Sequence, residues 1–373
     1  MKIGTITFHG AYNYGSVLQA YALQEFIVKL GRETETPIDY KIINYRPQCQ
    51  KELYWQAEPP FSVKTAVKRL MRMPYKNQLA KQAEAYEGFL ADRLNLTEEL
   101  SEREINRYAD EFDFYISGSD QVFNVRSLDF TYHNLLDFTE SPNKLSYAAS
   151  FGPLMINWDE YDKEKYIGYL RKFRTLSMRE ERSKKIADEL LGNGESEVHI
   201  DPTLLLDAED WRKIESGRNY NKGKYIFIYC LEPTKKHMRI AKMLSKALDL
   251  PIVCTGYRCK HDYFNSFVKL YDSGPADFLS LIDNAELVLT SSFHGTAFSV
   301  IFGKPFWVID GMADNRICNL LKLTGLEGNS IEIDNLPDFQ KSRPHTSGEV
   351  DARKVLKQEQ EKSREYLKKA LGI

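Results

Sequence analysis

The sequence predicts an α/β fold made of two domains with parallel sheets. Three observations point there. Short apolar runs alternate with longer segments whose apolar residues recur every third or fourth position. Glycine, asparagine or serine marks several of the junctions between them. The 373 residues, 42% of them hydrophobic, suffice for two cores of ordinary size.

The first run, KIGTITF (2–8), reads as a strand. The turn Gly10-Ala11-Tyr12-Asn13-Tyr14-Gly15-Ser16 follows. Then SVLQAYALQEFIVKLG (16–31) carries Val17, Leu18, Tyr21, Ala22, Leu23, Phe26 and Leu30 on one helical face, and Gly31 stops it. DYKIINY (39–45) is the second strand. Residues 48–110 change texture: Lys, Glu, Gln and Ala dominate, with prolines at 59, 60 and 74. They read as helices inserted in the first domain. The alternation resumes with strands in FDFYISGSDQVFN (112–124) and KLSYAASFG (144–152), and a helix over 160–174. TLSMREERSKKIADELLG (175–192) is strand, turn and helix. EVHIDPTLLLD (197–207) is a strand with a proline turn.

A second domain is expected over 207–348, after a first over 1–206. Strands fall in 223–233, 250–257, 286–290 and 304–310, with helices at 237–249, 275–285 and 295–303. This β-α-β rhythm implies parallel sheets covered by helices. The last stretch, 349–373, holds a charged amphipathic helix over 350–372.

Composition excludes several classes. With 51 basic and 53 acidic residues the formal charge is −2, which is no footprint of a nucleic-acid binder. Five cysteines, without a CxxC pair, argue against a disulfide framework or structural zinc and for a reducing compartment. The opening MKIGTITFHG lacks a signal peptide's apolar core, and no run is long enough to span a bilayer. A soluble, cytoplasmic protein is expected. Single histidines such as His9, His199 and His345 lack ligand spacing, so neither metal nor cofactor is expected.

Three junctions could carry chemistry. The Gly10–Ser16 turn opens a helix, where free N–H groups and the dipole suit an anion or a hydroxyl-rich ligand. The plain alternative is a tight turn capped by Ser16. Ser117-Gly118-Ser119-Asp120-Gln121 sets a carboxylate at a strand's carboxyl end, suited to binding hydroxyls or to general-base work; its alternative is a helix cap. Ser291-Ser292-Phe293-His294-Gly295 leaves the buried run ELVLT and enters a helix. An anion held there, with Ser291 or Ser292 capping and Gly295 allowing close approach, would prepare His294 as a general acid. Otherwise His294 is structural. Arg179 in SMRE (177–180) is the candidate cation, its alternative an ion pair with Glu180 or Glu181.

These motifs together resemble the polysaccharide pyruvyl transferase family. The resemblance rests on NYGSVLQAYALQ (13–24), GSDQVFN (118–124), YAASFG (147–152), SMRE (177–180), DPTLLL (201–206) and TSSFHG (290–295), in the expected order. It implies two Rossmann-like domains, similar to GT-B glycosyltransferases, with the final helix crossing back to the first domain. It implies transfer of pyruvate from phosphoenolpyruvate to two hydroxyls of a glycan or lipid-linked sugar. Arg179 matches the arginine of the family's S-x-R-[DE] motif, and His294 the histidine of R-[LF]-H. The arginine two residues before that histidine is Ser292 here. The implied site is His294 and Asp120 in catalysis, Arg179, Ser291, Ser292 and Gly295 at the donor, and Asn13, Tyr14 and Ser119 at the acceptor. A nucleotide-sugar glycosyltransferase or a glycan-binding protein with aromatic platforms at Tyr12, Tyr14 or Phe293 are the competing readings. The charged last helix also raises contact with the inner face of a membrane.

Overall fold

The computed structural model describes residues 1–231, 233–256, 266–348 and 351–373. Glu232, Tyr257 and Val350, at the edges of three expected elements, lie outside the described residues. The chain divides into two compact units. The first comprises 1–60, 90–206 and 357–373; the second comprises 61–89 and 207–356. One division between the units falls between Leu206 and Asp207. Residues 61–89 of the helical segment group with the second unit instead of the first.

The first unit opens with β1 (Lys2–Ile6), α1 (Tyr14–Glu33) and β2 (Asp39–Ile42). The helical segment follows as α2 (Gln48–Leu53), α3 (Val63–Arg72) and α4 (Lys76–Arg93). Then come β3 (Phe114–Ser117), β4 (Lys144–Ser146), α5 (Lys163–Leu170), β5 (Ser177–Met178), α6 (Glu181–Leu191) and β6 (Glu197–Val198). Its main sheet is parallel in the order β2-β1-β3-β4, with Ile3 beside Phe114 and Tyr115 beside Lys144. β5 and β6 pair in parallel beside it. Ile6, Tyr115, Phe123, Phe151, Tyr166 and Leu170 belong to one buried cluster.

The second unit holds α7 (Ala208–Arg212), β7 (Ile226–Tyr229), α8 (Lys235–Leu248), β8 (Ile252–Cys254), β9 (Val268–Lys269), α9 (Pro275–Asp283) and β10 (Leu287–Thr290). It continues through α10 (Phe293–Ile301), β11 (Phe306–Ile309), α11 (Asn315–Thr324) and β12 (Ser330–Ile331). The last helix, α12, runs Ala352–Leu371. The sheet order is β12-β11-β10-β7-β8-β9, all parallel. The central strands are fully buried and mostly apolar, IFIY in β7, LVLT in β10 and FWVI in β11, as burial on both faces demands.

Each sheet has one point where the strand order reverses: between β1 and β3 in the first unit, and between β7 and β10 in the second. Parallel sheets bind ligands just beyond the carboxyl ends of such strands, because successive connections leave there on opposite faces.

The part of α12 in the first unit is anchored there. Tyr366, Leu367 and Leu371 are buried. The Tyr366 hydroxyl donates to the Ser146 carbonyl at 2.9 Å, and Gln360 donates to the Leu204 carbonyl at 2.8 Å. Under Tyr366 lies the buried His199, with ring centroids 4.3 Å apart. Burial, and then the charge of Lys362, push the His199 pKa from 6.5 down to about 3. The folded state therefore refuses a proton that the unfolded chain accepts between those values, and stability falls as pH drops through that window. The expected slope from this residue is about 1.4 kcal/mol per pH unit. Urea unfolding between pH 7 and pH 4 should show a shallower pH slope in His199→Phe than in the parent; equal slopes would refute it.

Candidate active site

The residues leaving β1 and β3 meet at the first reversal point. Asn13 caps α1, its side chain accepting from the Gly15 N–H at 3.1 Å. The helix therefore starts at Tyr14, two residues before the apolar pattern suggests, and Ser16 lies inside its first turn instead of at the cap. From there the Ser16 hydroxyl donates to Asp120 Oδ2 at 2.6 Å. The other Asp120 oxygen accepts from the Gln121 N–H at 2.8 Å. Asp120 has φ +78°, in the left-handed region that aspartate tolerates because its short side chain bonds locally. Gly118 beside it is tight: a Cβ there would stand 3.0 Å from Thr7 Cβ. The Thr7 hydroxyl donates to the Ser119 carbonyl at 3.0 Å, which ties the two loops together.

Arg179 follows β5 and comes to the same place. Ala149 forms bridges to Asp120 on one side and Met178 on the other, so the chain after β4 aligns the two neighbours. The guanidinium is 2% exposed and has three carboxylates within 4 Å. Asp201 Oδ2 lies 3.0 Å from Nη1, Glu180 Oε2 lies 3.6 Å from Nε, and Asp120 Oδ1 lies 3.9 Å from Nη1. Burial opposes its charge, but Asp201, Glu180 and Asp120 outweigh burial and raise its pKa. Glu180 Oε1 accepts from the hydroxyls of Ser150 (2.8 Å) and Ser183. Asp201 Oδ1 accepts from the Thr203 N–H at 3.0 Å and hydroxyl at 2.7 Å.

The surroundings of five expected residues bear on their roles. Arg179 sits among three carboxylates, donating to Asp201 and lying at the edge of reach of Asp120. Ser119 is fully buried, and its hydroxyl donates to the Ala148 carbonyl at 2.9 Å and to Asp201 Oδ2 at 3.3 Å. Tyr14, 2% exposed, offers no ring face for stacking, and Phe293 is buried too. Asn13 is half-buried and engaged as the cap. Asp201, Glu180 and Ser16 carry weaker sequence signals: they lie within DPTLLL, SMRE and NYGSVLQAYALQ, where a proline turn, a helix start and a cap explain them equally well.

In the second unit β10 ends at Thr290, at the other reversal point. The Thr290 hydroxyl donates to the Tyr229 carbonyl at 2.6 Å and accepts from the Ser292 N–H at 3.0 Å. Ser292 stands at the N-cap of α10, but its hydroxyl makes no capping bond, contrary to expectation. The helix begins at Phe293, earlier than Gly295, which puts His294 in the first turn. His294 is 8% exposed, and the Phe293 ring meets it edge-on at 5.2 Å. A Cβ on Gly295 would stand 2.3 Å from Thr290 Oγ1. Gly295 thus lets α10 start hard against β10, carrying the imidazole and the helix's positive end with it.

Among the described residues no three His, Cys, Asp or Glu side chains are grouped to hold a metal ion. No described helix is long and apolar enough to cross a membrane.

The profile of the polysaccharide pyruvyl transferase family matches residues 13–311. The chain belongs to that family. The match begins at the Asn13 cap and runs past β11, so it contains Ser16 and Asp120 of the first unit and the β7–β10 reversal point of the second. No curated protein matches the chain in sequence. Among solved structures, the glycosyltransferase AviGT4 of avilamycin A biosynthesis aligns with a TM-score of 0.51 at 11% identity, covering 99% of this chain and 97% of that one. A Listeria monocytogenes protein, provisionally named as a UDP-N-acetylglucosamine 2-epimerase, aligns with a TM-score of 0.50 at 10% identity, covering 97% and 90%. At such identities the likeness is one of fold. This pyruvyl transferase family member has a GT-B-like α/β fold with parallel sheets, and the family and fold together support a transferase that modifies polysaccharides.

Proposed function

We propose that this chain moves a pyruvyl group from phosphoenolpyruvate onto two hydroxyls of a bacterial surface polysaccharide or its precursor, forming a cyclic ketal in the cytoplasm. The observation that carries the reading is the family match, which contains the Asp120–Ser16 carboxylate–hydroxyl pair of the first unit and the imidazole on the α10 N-terminus of the second.

The chemistry assigns the parts. Protonation of the enol carbon of phosphoenolpyruvate makes its C2 an oxocarbenium-like centre. His294 supplies that proton or assists phosphate departure. A sugar hydroxyl attacks C2, phosphate leaves, and the second hydroxyl closes the ring. Of the two hydroxyl protons lost, one balances the new methyl hydrogen and the other leaves with phosphate. Asp120, already accepting from Ser16, takes a hydroxyl proton. The N–H groups at the start of α10, with Ser291, Ser292 and the Gly295 backbone, receive an anionic end of the donor. Arg179 and Ser119 act behind Asp120, through Asp201 in the case of Ser119. Asn13 and Ser16 border the acceptor.

Ser292, standing where the family motif has arginine, favours testing a nucleotide-sugar donor alongside. Phosphoenolpyruvate at ~100 times its dissociation constant should add about 2.7 kcal/mol of stability, seen as a thermal shift that UDP, GDP and CMP do not produce. With a sugar diol present, phosphorus NMR should show inorganic phosphate growing as a ketal methyl signal appears in the proton spectrum. A shift with a nucleotide alone, and no phosphate release, would assign the protein to glycosyl transfer.

A further inference from the structure

We infer that α3 is a docking surface for an anionic lipid bilayer. The helix VKTAVKRLMR contains no buried residue. Val63, Val67 and Leu70 recur at the i, i+4, i+7 spacing of one helical stripe, and they are 79%, 51% and 66% exposed. Phe61 before the helix and Met73 after it are 86% and 64% exposed. Such a run of bared apolar side chains is not what a soluble surface carries by chance. The polar side carries Lys64, Lys68, Arg69 and Arg72. Between Glu58 and Glu84 the chain has six cations, counting Lys76 and Lys81, and no acid.

The helix does not need a partner to form its start. The Ser62 hydroxyl accepts from the Thr65 N–H at 3.1 Å, and the Thr65 hydroxyl accepts from the Ser62 N–H at 2.7 Å, a reciprocal capping box. A large apolar–basic segregation with low mean hydropathy is the composition of helices that lie in the headgroup layer. An anionic bilayer offers an apolar medium to the stripe and a sheet of negative charge to the side that carries Lys64 and Lys68. The last helix, charged as it is, is unsuited to that role, since Tyr366, Leu367, Ala370 and Leu371 are buried.

The test is co-sedimentation of the full chain with vesicles of phosphatidylcholine, with and without phosphatidylglycerol. Binding is expected only to the phosphatidylglycerol vesicles and should weaken with salt. Lys64→Gln/Lys68→Gln should lower partitioning by roughly fivefold per cation removed. Val67→Glu/Leu70→Glu should abolish it while leaving the far-ultraviolet circular dichroism and melting unchanged, because neither side chain is packed. Absence of binding by the parent chain, or equal binding by the Val67→Glu/Leu70→Glu variant, overturns the inference. So does a lipid-free dimer in sedimentation velocity that Val67→Glu dissolves, which would assign the stripe to a second copy of the chain.

Discussion

Replacing His294 with asparagine is expected to lower turnover by about 10²–10⁴-fold, the usual worth of a positioned proton donor, with the protein still folded. The imidazole stands in the first turn of α10, where the peptide dipoles present positive potential to a bound anion. In the proposed mechanism the donor's phosphate or carboxylate is received at that end and the ring acid serves the departing group. Asparagine keeps the size and polarity of the first-turn side chain but cannot deliver a proton. Turnover should therefore collapse while the phosphoenolpyruvate-induced thermal shift persists. Unimpaired turnover in a folded variant would remove His294 from the mechanism. Loss of the shift as well as the turnover would assign it to binding.

The largest effect on stability is expected at Arg179. Its guanidinium lies between Asp201, Glu180 and Asp120, with almost no water contact. Arg179→Met fills comparable space and withdraws the one positive charge. Three buried carboxylates then face one another, and breaking a buried ion pair in this way costs about 3–5 kcal/mol. The urea midpoint should fall accordingly. Adding Asp201→Asn should return part of the loss, because the two positions share one network. Arg179→Lys should recover little, since an ammonium cannot spread its donors over three acceptors. An unchanged midpoint in Arg179→Met would mean that the cluster contributes nothing to the fold.

The two residues differ in how readily the sequence discloses them. His294 was legible. A buried strand, LVLT, then small polar residues and a helix place it at a strand's carboxyl end, and the structure agrees. The surroundings of Arg179 were not. Asp120 and Asp201 reach it only because β4, β5 and the chain through Ala149 lie in a particular lateral order, and local pattern carries no lateral order. Helix starts were misread for a similar reason. At α1 the first apolar face residue is Val17, but the Asn13 side chain starts the helix earlier. At α10 the glycine that looked like a turn lies within the helix, pressed on Thr290. α11 carries ordinary boundary signals, the Asp314 cap and the Gly325 stop. Exposure was the least legible property. Tyr14 and Phe293 have the composition of stacking platforms and lie in the interior.

The left-handed backbone at Asp120 has a consequence for how the lineage of this protein can vary. A replacement at that position meets a conformational filter before any chemical one. β-branched and bulky side chains are penalised there, while asparagine and glycine are accepted. Both are one base change from an aspartate codon. Of the single-base neighbours, these two keep the loop's geometry and discard the carboxylate. On the proposed mechanism, natural copies that have lost the activity but kept the fold should therefore be enriched in asparagine or glycine at this site.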